Sequence, residues 1–278
     1  GHNAMSKRLL KKTFCLVGVA AILGLASTSA MALNFPVFGV DEGSVPGSAA
    51  NTFDADKMVG DYIEVITFTP TGPGTSTFEV SLKWEVGQYV LENMNVPSQL
   101  GCFPAGCYDV YALYRGAGTA VTQLDGSTIF TTAEGVGSYE LYVDPAQDTG
   151  FVQPAMGNMA WGVVDPAADD YLVASGIPGP GTGILDPSLP TCGGAGINCG
   201  SFGTSASVEL TPAGKAYFVL PDPFYLVAFQ AGQLNNFTPA GTQVIDGSLD
   251  QIFVPEPASL ALLGLGIAGI SLTRRRKA

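Results

Sequence analysis

Alternation of apolar and polar residues at the strand period, with no long run at the helical period, confines this chain to a fold built from strands. Residues 61–69 and 77–86 show it best, and both are rich in the β-branched and aromatic types that suit a pleated surface. Between them, Pro70, Gly72, Pro73 and Gly74 make a turn by composition. Further strands are expected at 108–115, 138–143, 160–164, 171–174, 206–210, 216–220 and 225–230. Residues 123–130 and 244–253 echo one another, each around an Asp-Gly pair that signals a short hairpin turn. About ten short strands with Gly and Pro turns read as an all-β antiparallel sandwich or jelly roll. Charged residues are only 13% of the chain, about half the usual share, which leaves little for the polar faces of surface helices. Residues 175–203 break the rhythm, and a loop of that length is expected to be functional or mobile.

Both ends carry targeting signals. Residues 1–4 read as a cloning scar or an upstream extension, with Met5 as the start. Lys7, Arg8, Lys11 and Lys12 then precede an apolar stretch at 14–26, and Ala30-Met31-Ala32 forms an A-x-A cleavage signal. Residues 5–32 are therefore read as a secretory signal peptide. At the other end, Pro255, Glu256 and Pro257 lead into an apolar run at 258–272, followed by Arg274, Arg275, Arg276 and Lys277. Such a run, as a helix, reaches about 22 Å against a hydrocarbon core of roughly 30 Å, so it suits a short transmembrane helix that anchors only for a time. The basic tail stays cytoplasmic and the bulk of the chain lies outside. Pro-Glu-Pro, short helix and arginine cluster together resemble the PEP-CTERM sorting tail of Gram-negative bacteria. The resemblance implies that an exosortase, a membrane protease-transpeptidase, removes residues 255–278 after transient anchoring in the inner membrane. It also implies an exopolysaccharide setting, since exosortase genes tend to accompany those for exopolysaccharide synthesis.

The exported domain is then residues 33–254. Its basic residues are Lys57, Lys83, Arg115 and Lys215, against 23 of the chain's 24 acidic ones, a net charge of −19. Such acidity argues against nucleic acid and favours cations, neutral sugars or basic surfaces as partners. The chain's single His, at position 2, lies outside this domain, which leaves no Ser-His or Cys-His nucleophile and no His-ligated metal. Asp148-Thr149-Gly150 matches half of an aspartic-protease pair, but no second copy exists, so it reads as a turn. Gly179 to Gly183 looks faintly like a phosphate loop but lacks Lys and includes Pro180. A glycosidase would need only two carboxylates, and no pair stands out among so many. The chain is expected not to be an enzyme.

Cys15 belongs to the signal peptide, which leaves two close pairs, Cys102 with Cys107 and Cys192 with Cys199. Outside the cytoplasm these are expected to form two local disulfides, each contributing roughly 2 kcal/mol in the chain-entropy picture. A four-cysteine zinc site would need paired C-x2-C spacing, which is absent. The sequence demands no cofactor. Calcium is the one cation it invites, at Asp165, Asp169 and Asp170, with Asp41-Glu42 and Asp54 to Asp56 as lesser clusters, against the plainer reading of solvated acidic turns. Tyr108, Tyr111, Tyr114, Trp84 and Trp161 could stack on sugar rings, although core packing is the commoner use of such residues; alternation puts Tyr108 and Tyr114 on one face and Tyr111 on the other.

Two further stretches matter: residues 42–57 with 60–64, and residues 233–249 running into Phe253-Val-Pro-Glu-Pro257. Together they resemble the flocculation-associated PEP-CTERM proteins, the PepA family. The resemblance implies an extracellular protein that promotes cell aggregation, in flocs or biofilm, alongside an exopolysaccharide matrix, with self-association a further expectation. It brings no catalytic residues. The alternative expectation is a discrete extracellular module binding polysaccharide or calcium.

Overall fold

The computed structural model describes residues 35–101, 107–164, 169–193, 196 and 198–255. Strands β1 (Phe38–Asp41) and β2 (Thr52–Ala55) precede a long hairpin of β3 (Lys57–Gly72) and β4 (Thr75–Leu91), followed by the short β5 (Met94–Val96). Then come β6 (Asp109–Thr122), β7 (Thr128–Thr132), β8 (Ser138–Asp144), β9 (Gly150–Val152), β10 (Gly162–Val164), β11 (Tyr171–Gly176) and β12 (Pro178–Leu185). The chain ends with β13 (Gly200–Ser207), β14 (Glu209–Leu210), a one-turn helix α1 (Pro212–Tyr217), β15 (Phe218–Leu220), β16 (Val227–Leu234) and β17 (Thr242–Val254).

The all-β antiparallel class is borne out, and its main sheet closes on itself. Around the ring run β3, β4, β6, β7, β12, β13, β16 and β17, with β17 returning to β3 and every pairing antiparallel. A ring of about eight strands leaves an interior that side chains can just fill, or that holds one small ligand. The first half of β6 instead pairs with β8, which carries β11 and β14 outward as a flap. Phe38, Phe218, Phe224 and Phe253 form one aromatic group, Phe218 stacked on Phe224 and the other pairs edge to face, with centroids as close as 4.9 Å. Phe68, Phe78, Phe130 and Phe237 form a second aromatic group with centroids 6.0–6.3 Å apart.

Register explains the glycine content. Phe78 lies opposite Gly118, and Phe202 opposite Gly232. A Cβ added at either glycine would overlap the facing ring, so these glycines make room for the aromatics inside the barrel. This corrects the expected 175–203 loop: Pro178–Leu185 is strand β12, and only 186–199 remains between it and β13. Residues 216–220 are likewise the end of α1 followed by β15, because Thr211 caps the helix by accepting from the Gly214 amide at 3.0 Å and Pro212 opens it. Of the two Asp-Gly signals, Asp125-Gly126 is a turn, with Gly126 at φ +89°, whereas Asp246-Gly247 runs straight through β17.

Candidate functional site

Strand β8 ends at Asp144, whose carboxylate holds the next turn closed. It accepts from the amides of Ala146 at 3.0 Å, Gln147 at 2.8 Å and Thr149 at 3.1 Å. Asp148 and Thr149 thus lie in a loop, in line with the turn reading, and Gly150 opens β9. Thr149 then donates to Asp170 at 2.6 Å, and Tyr111 reaches the same oxygen at 2.7 Å, while the other Asp170 oxygen is buried with no partner among the described residues. Asp144, Asp169 and Asp170 each place a carboxylate oxygen within 4.8 Å of the others. That separation is about the diameter of a calcium coordination shell with bonds near 2.4 Å. Burial, then the charges of Asp144 and Asp169, push the Asp170 pKa up, against the pull of its Thr149 and Tyr111 hydrogen bonds. Asp148 is raised as well, by desolvation and then by Asp169, Asp144 and Asp170. A cation here would relieve a crowd of like charges.

Of the three residues expected to attract calcium, Asp169 and Asp170 come together and Asp165 lies outside the described residues. Asp144, which the sequence does not single out because it lies at the end of a different strand, completes the group. The lesser clusters go elsewhere. Glu42 is fully buried and accepts from Asn51, from the Gln99 amide and side chain, and from the Tyr108 hydroxyl, at 2.6–3.1 Å. Asp41 caps a short 3-10 turn, and Asp56 accepts from the Glu92 amide at 2.7 Å.

The second feature is the barrel lumen, a cavity of about 70 Å³. Phe78, Phe130, Phe202 and Phe237 contribute to its apolar wall. Polar side chains interrupt that wall: Thr132, Thr182 and Gln230, the last donating to Gln251 at 2.9 Å, and the buried Glu64, Tyr114 and Thr204, at 8%, 5% and 6% exposure. Burial pushes the Glu64 carboxyl up to about 7, with no hydrogen bond or ion pair among the described residues to offset it. Thr204 is close enough to temper the burial-raised pKa of Tyr114, but neither hydroxyl closes a hydrogen bond of good geometry. Sequence reading passed over Glu64, one acidic residue in an ordinary alternating strand.

The aromatic platform does not form from the expected residues. Tyr108, Tyr114 and Trp84 face the interior, and Tyr111 faces the other way, as alternation required, stacked on Tyr142 at 5.1 Å. Trp161 is buried and donates to the Ser81 carbonyl at 3.2 Å. Cys192 and Cys199 form a disulfide with Cα atoms 4.3 Å apart. Cys107 is disulfide-bonded too; Cys102, its expected partner, lies outside the described residues. So do Ala30 and Ala32 of the cleavage signal, and Glu256, Pro257, Arg274, Arg275 and Arg276 of the tail; Pro255 directly follows β17.

Residues 253–277 match the PEP-CTERM protein-sorting motif. No curated protein and no solved structure matches the chain. The motif makes this an exosortase-processed secreted protein, with exosortase as its processing partner and transient membrane anchoring on its way to the surface of a Gram-negative cell.

Proposed function

We propose that the exported barrel is a non-catalytic surface or matrix protein that promotes cell–cell aggregation together with exopolysaccharide, as its resemblance to flocculation-associated PEP-CTERM proteins implies. The observation that carries this reading is an acidic surface with almost nothing to neutralise it. Of the four basic side chains in the domain, Lys57 is paired with Asp250 at 2.8 Å and Lys83 with Glu85 at 2.5 Å. Lys83 is further enclosed by the rings of Phe151 and Trp161. Apart from the buried Glu42, Asp56, Glu64 and Asp144, most of the other carboxylates lie at or near the surface. At physiological ionic strength the screening length is about 8 Å, so such surfaces repel only at close range. Divalent cations then serve as bridges between copies, or between the protein and an acidic polysaccharide. Asp144, Asp169 and Asp170 supply the local arrangement for one such cation.

Deleting the gene, with floc formation and polysaccharide yield scored separately, tests the main reading. The expected result is loss of flocs with polysaccharide yield retained; normal flocculation in the deletion strain would refute it. Complementation with Asp169→Asn/Asp170→Asn tests the cation part, which predicts flocs weaker than wild type and no longer weakened further by EDTA.

A further inference from the structure

We propose that the barrel lumen binds a small organic ammonium ion, an apolar primary amine in its protonated form, held by the Glu64 carboxylate and the hydroxyls of Tyr114 and Thr204. The register brings these groups into one chamber. Glu64 of β3 lies opposite Leu82 of β4, and Leu82 opposite Tyr114 of β6, so Glu64 and Tyr114 share one row of the wall. Thr204 comes from β13, on the far side of the ring. All three line the same cavity, and none has a hydrogen-bond partner of good geometry among the described residues.

Leaving a carboxyl and two hydroxyls unpaired in an apolar chamber is costly, which is the mark of a site completed by something else. An alkylammonium group has three N–H donors, which the Glu64 carboxylate and the unpaired hydroxyl oxygens of Tyr114 and Thr204 can accept. The phenylalanine rings accommodate the alkyl part, and their faces also attract a cation. An anion would meet the charge of Glu64. Water is the rival, because a chamber of this size with polar groups in its wall can also hold ordered water. Phe237 is the one wall residue that does not sit on a strand, so access runs past it.

Because the Glu64 carboxyl titrates near pH 7, only its ionised form pairs with the ammonium. Affinity should therefore rise about tenfold between pH 6 and pH 8, where an alkylamine stays protonated throughout. The test is calorimetric titration of the exported protein with n-butylammonium chloride, with n-butanol as the neutral comparison. One site per chain, the tenfold rise with pH, and at least a tenfold loss in Glu64→Gln at pH 8 are expected. Asp169→Asn/Asp170→Asn should bind as wild type does, separating the lumen from the surface carboxylates. Intermolecular NOEs from the butyl protons to the rings of Phe78 and Phe130, measured on the wild type, place the ligand without any substitution. Equal binding by Glu64→Gln, or a lumen holding only water, seen as no saturable heat and no such NOE, would overturn the proposal.

Discussion

Two buried glutamates, Glu42 and Glu64, should respond to mutation with opposite signs, because one has partners and the other has none among the described residues. The fold raises the Glu64 pKa from 4.5 to about 7. Between those values the folded state binds the proton that the unfolded chain has released, so stability falls as pH rises across that window and is level above it. A tenfold change in a protonation equilibrium is worth about 1.4 kcal/mol, so the full penalty is about 3 kcal/mol. Glu64→Gln should thus be more stable than wild type by about that much at pH 8 and nearly equal to it at pH 4, as chemical denaturation at the two pH values will measure. Glu42 is the opposite case. Its carboxylate satisfies Asn51, Gln99 and Tyr108, and the Tyr108 hydroxyl also meets that of Tyr217 at 2.9 Å. Glu42→Ala should strand those donors and cost at least about 2 kcal/mol, since buried groups that lose a charged partner bear the desolvation penalty. A neutral result would mean that water replaces the carboxylate.

Among the strands, glycine decides how the ring closes. Gly118 gives up its side-chain volume to the Phe78 ring and sits against the Thr131 carbonyl of β7. Gly118→Val should destabilise by about 1–3 kcal/mol through overpacking, although valine favours strands intrinsically; a denaturant midpoint at or above the wild-type value would contradict this. The same residues explain what could be read in advance and what could not. Alternation in 61–69 and 77–86 pointed to the β3–β4 hairpin, and alternation in 108–115 to the facing of Tyr108, Tyr111 and Tyr114, since period two is a local property. The strand at Pro178–Leu185 was invisible because five of its eight residues, 178–181 and Gly183, are Gly or Pro and locally signal turns. Their role depends on partners in β7 and β13, which lie far away in sequence. The lumen site was hidden for the same reason: Glu64, Tyr114 and Thr204 meet only through closure. The acidic cluster was half legible, through Asp169 and Asp170, while Asp144 joins them by way of the β8–β11 pairing.

For the molecule as a whole, the sorting signal and the fold meet with almost no overlap, and this limits where processing can occur. The motif begins at residue 253, yet Phe253 is fully buried, with ring centroids 5.2 Å from Phe38, 5.3 Å from Phe218 and 4.9 Å from Phe224. Residues 251–254 also continue the β16–β17 ladder as far as Val254 opposite Val227. Only positions 255–257 separate that strand from the apolar run at 258, a reach of at most about 11 Å even if fully extended. A cut before Phe253 would open the aromatic end of the barrel, and losing a buried phenylalanine alone costs about 3–5 kcal/mol. Cleavage that preserves the fold must therefore fall after Val254. A chain truncated after Pro255 should melt like the naturally processed protein. One truncated after Gln251 should melt about 10 °C lower or more, at the 2–4 °C per kcal/mol typical of domains this size. Intact-mass measurement of the protein from its host should give a carboxyl end at residue 254 or beyond. A mature form ending before Phe253, or equal melting of the two truncations, would show that the barrel closes without its last aromatic.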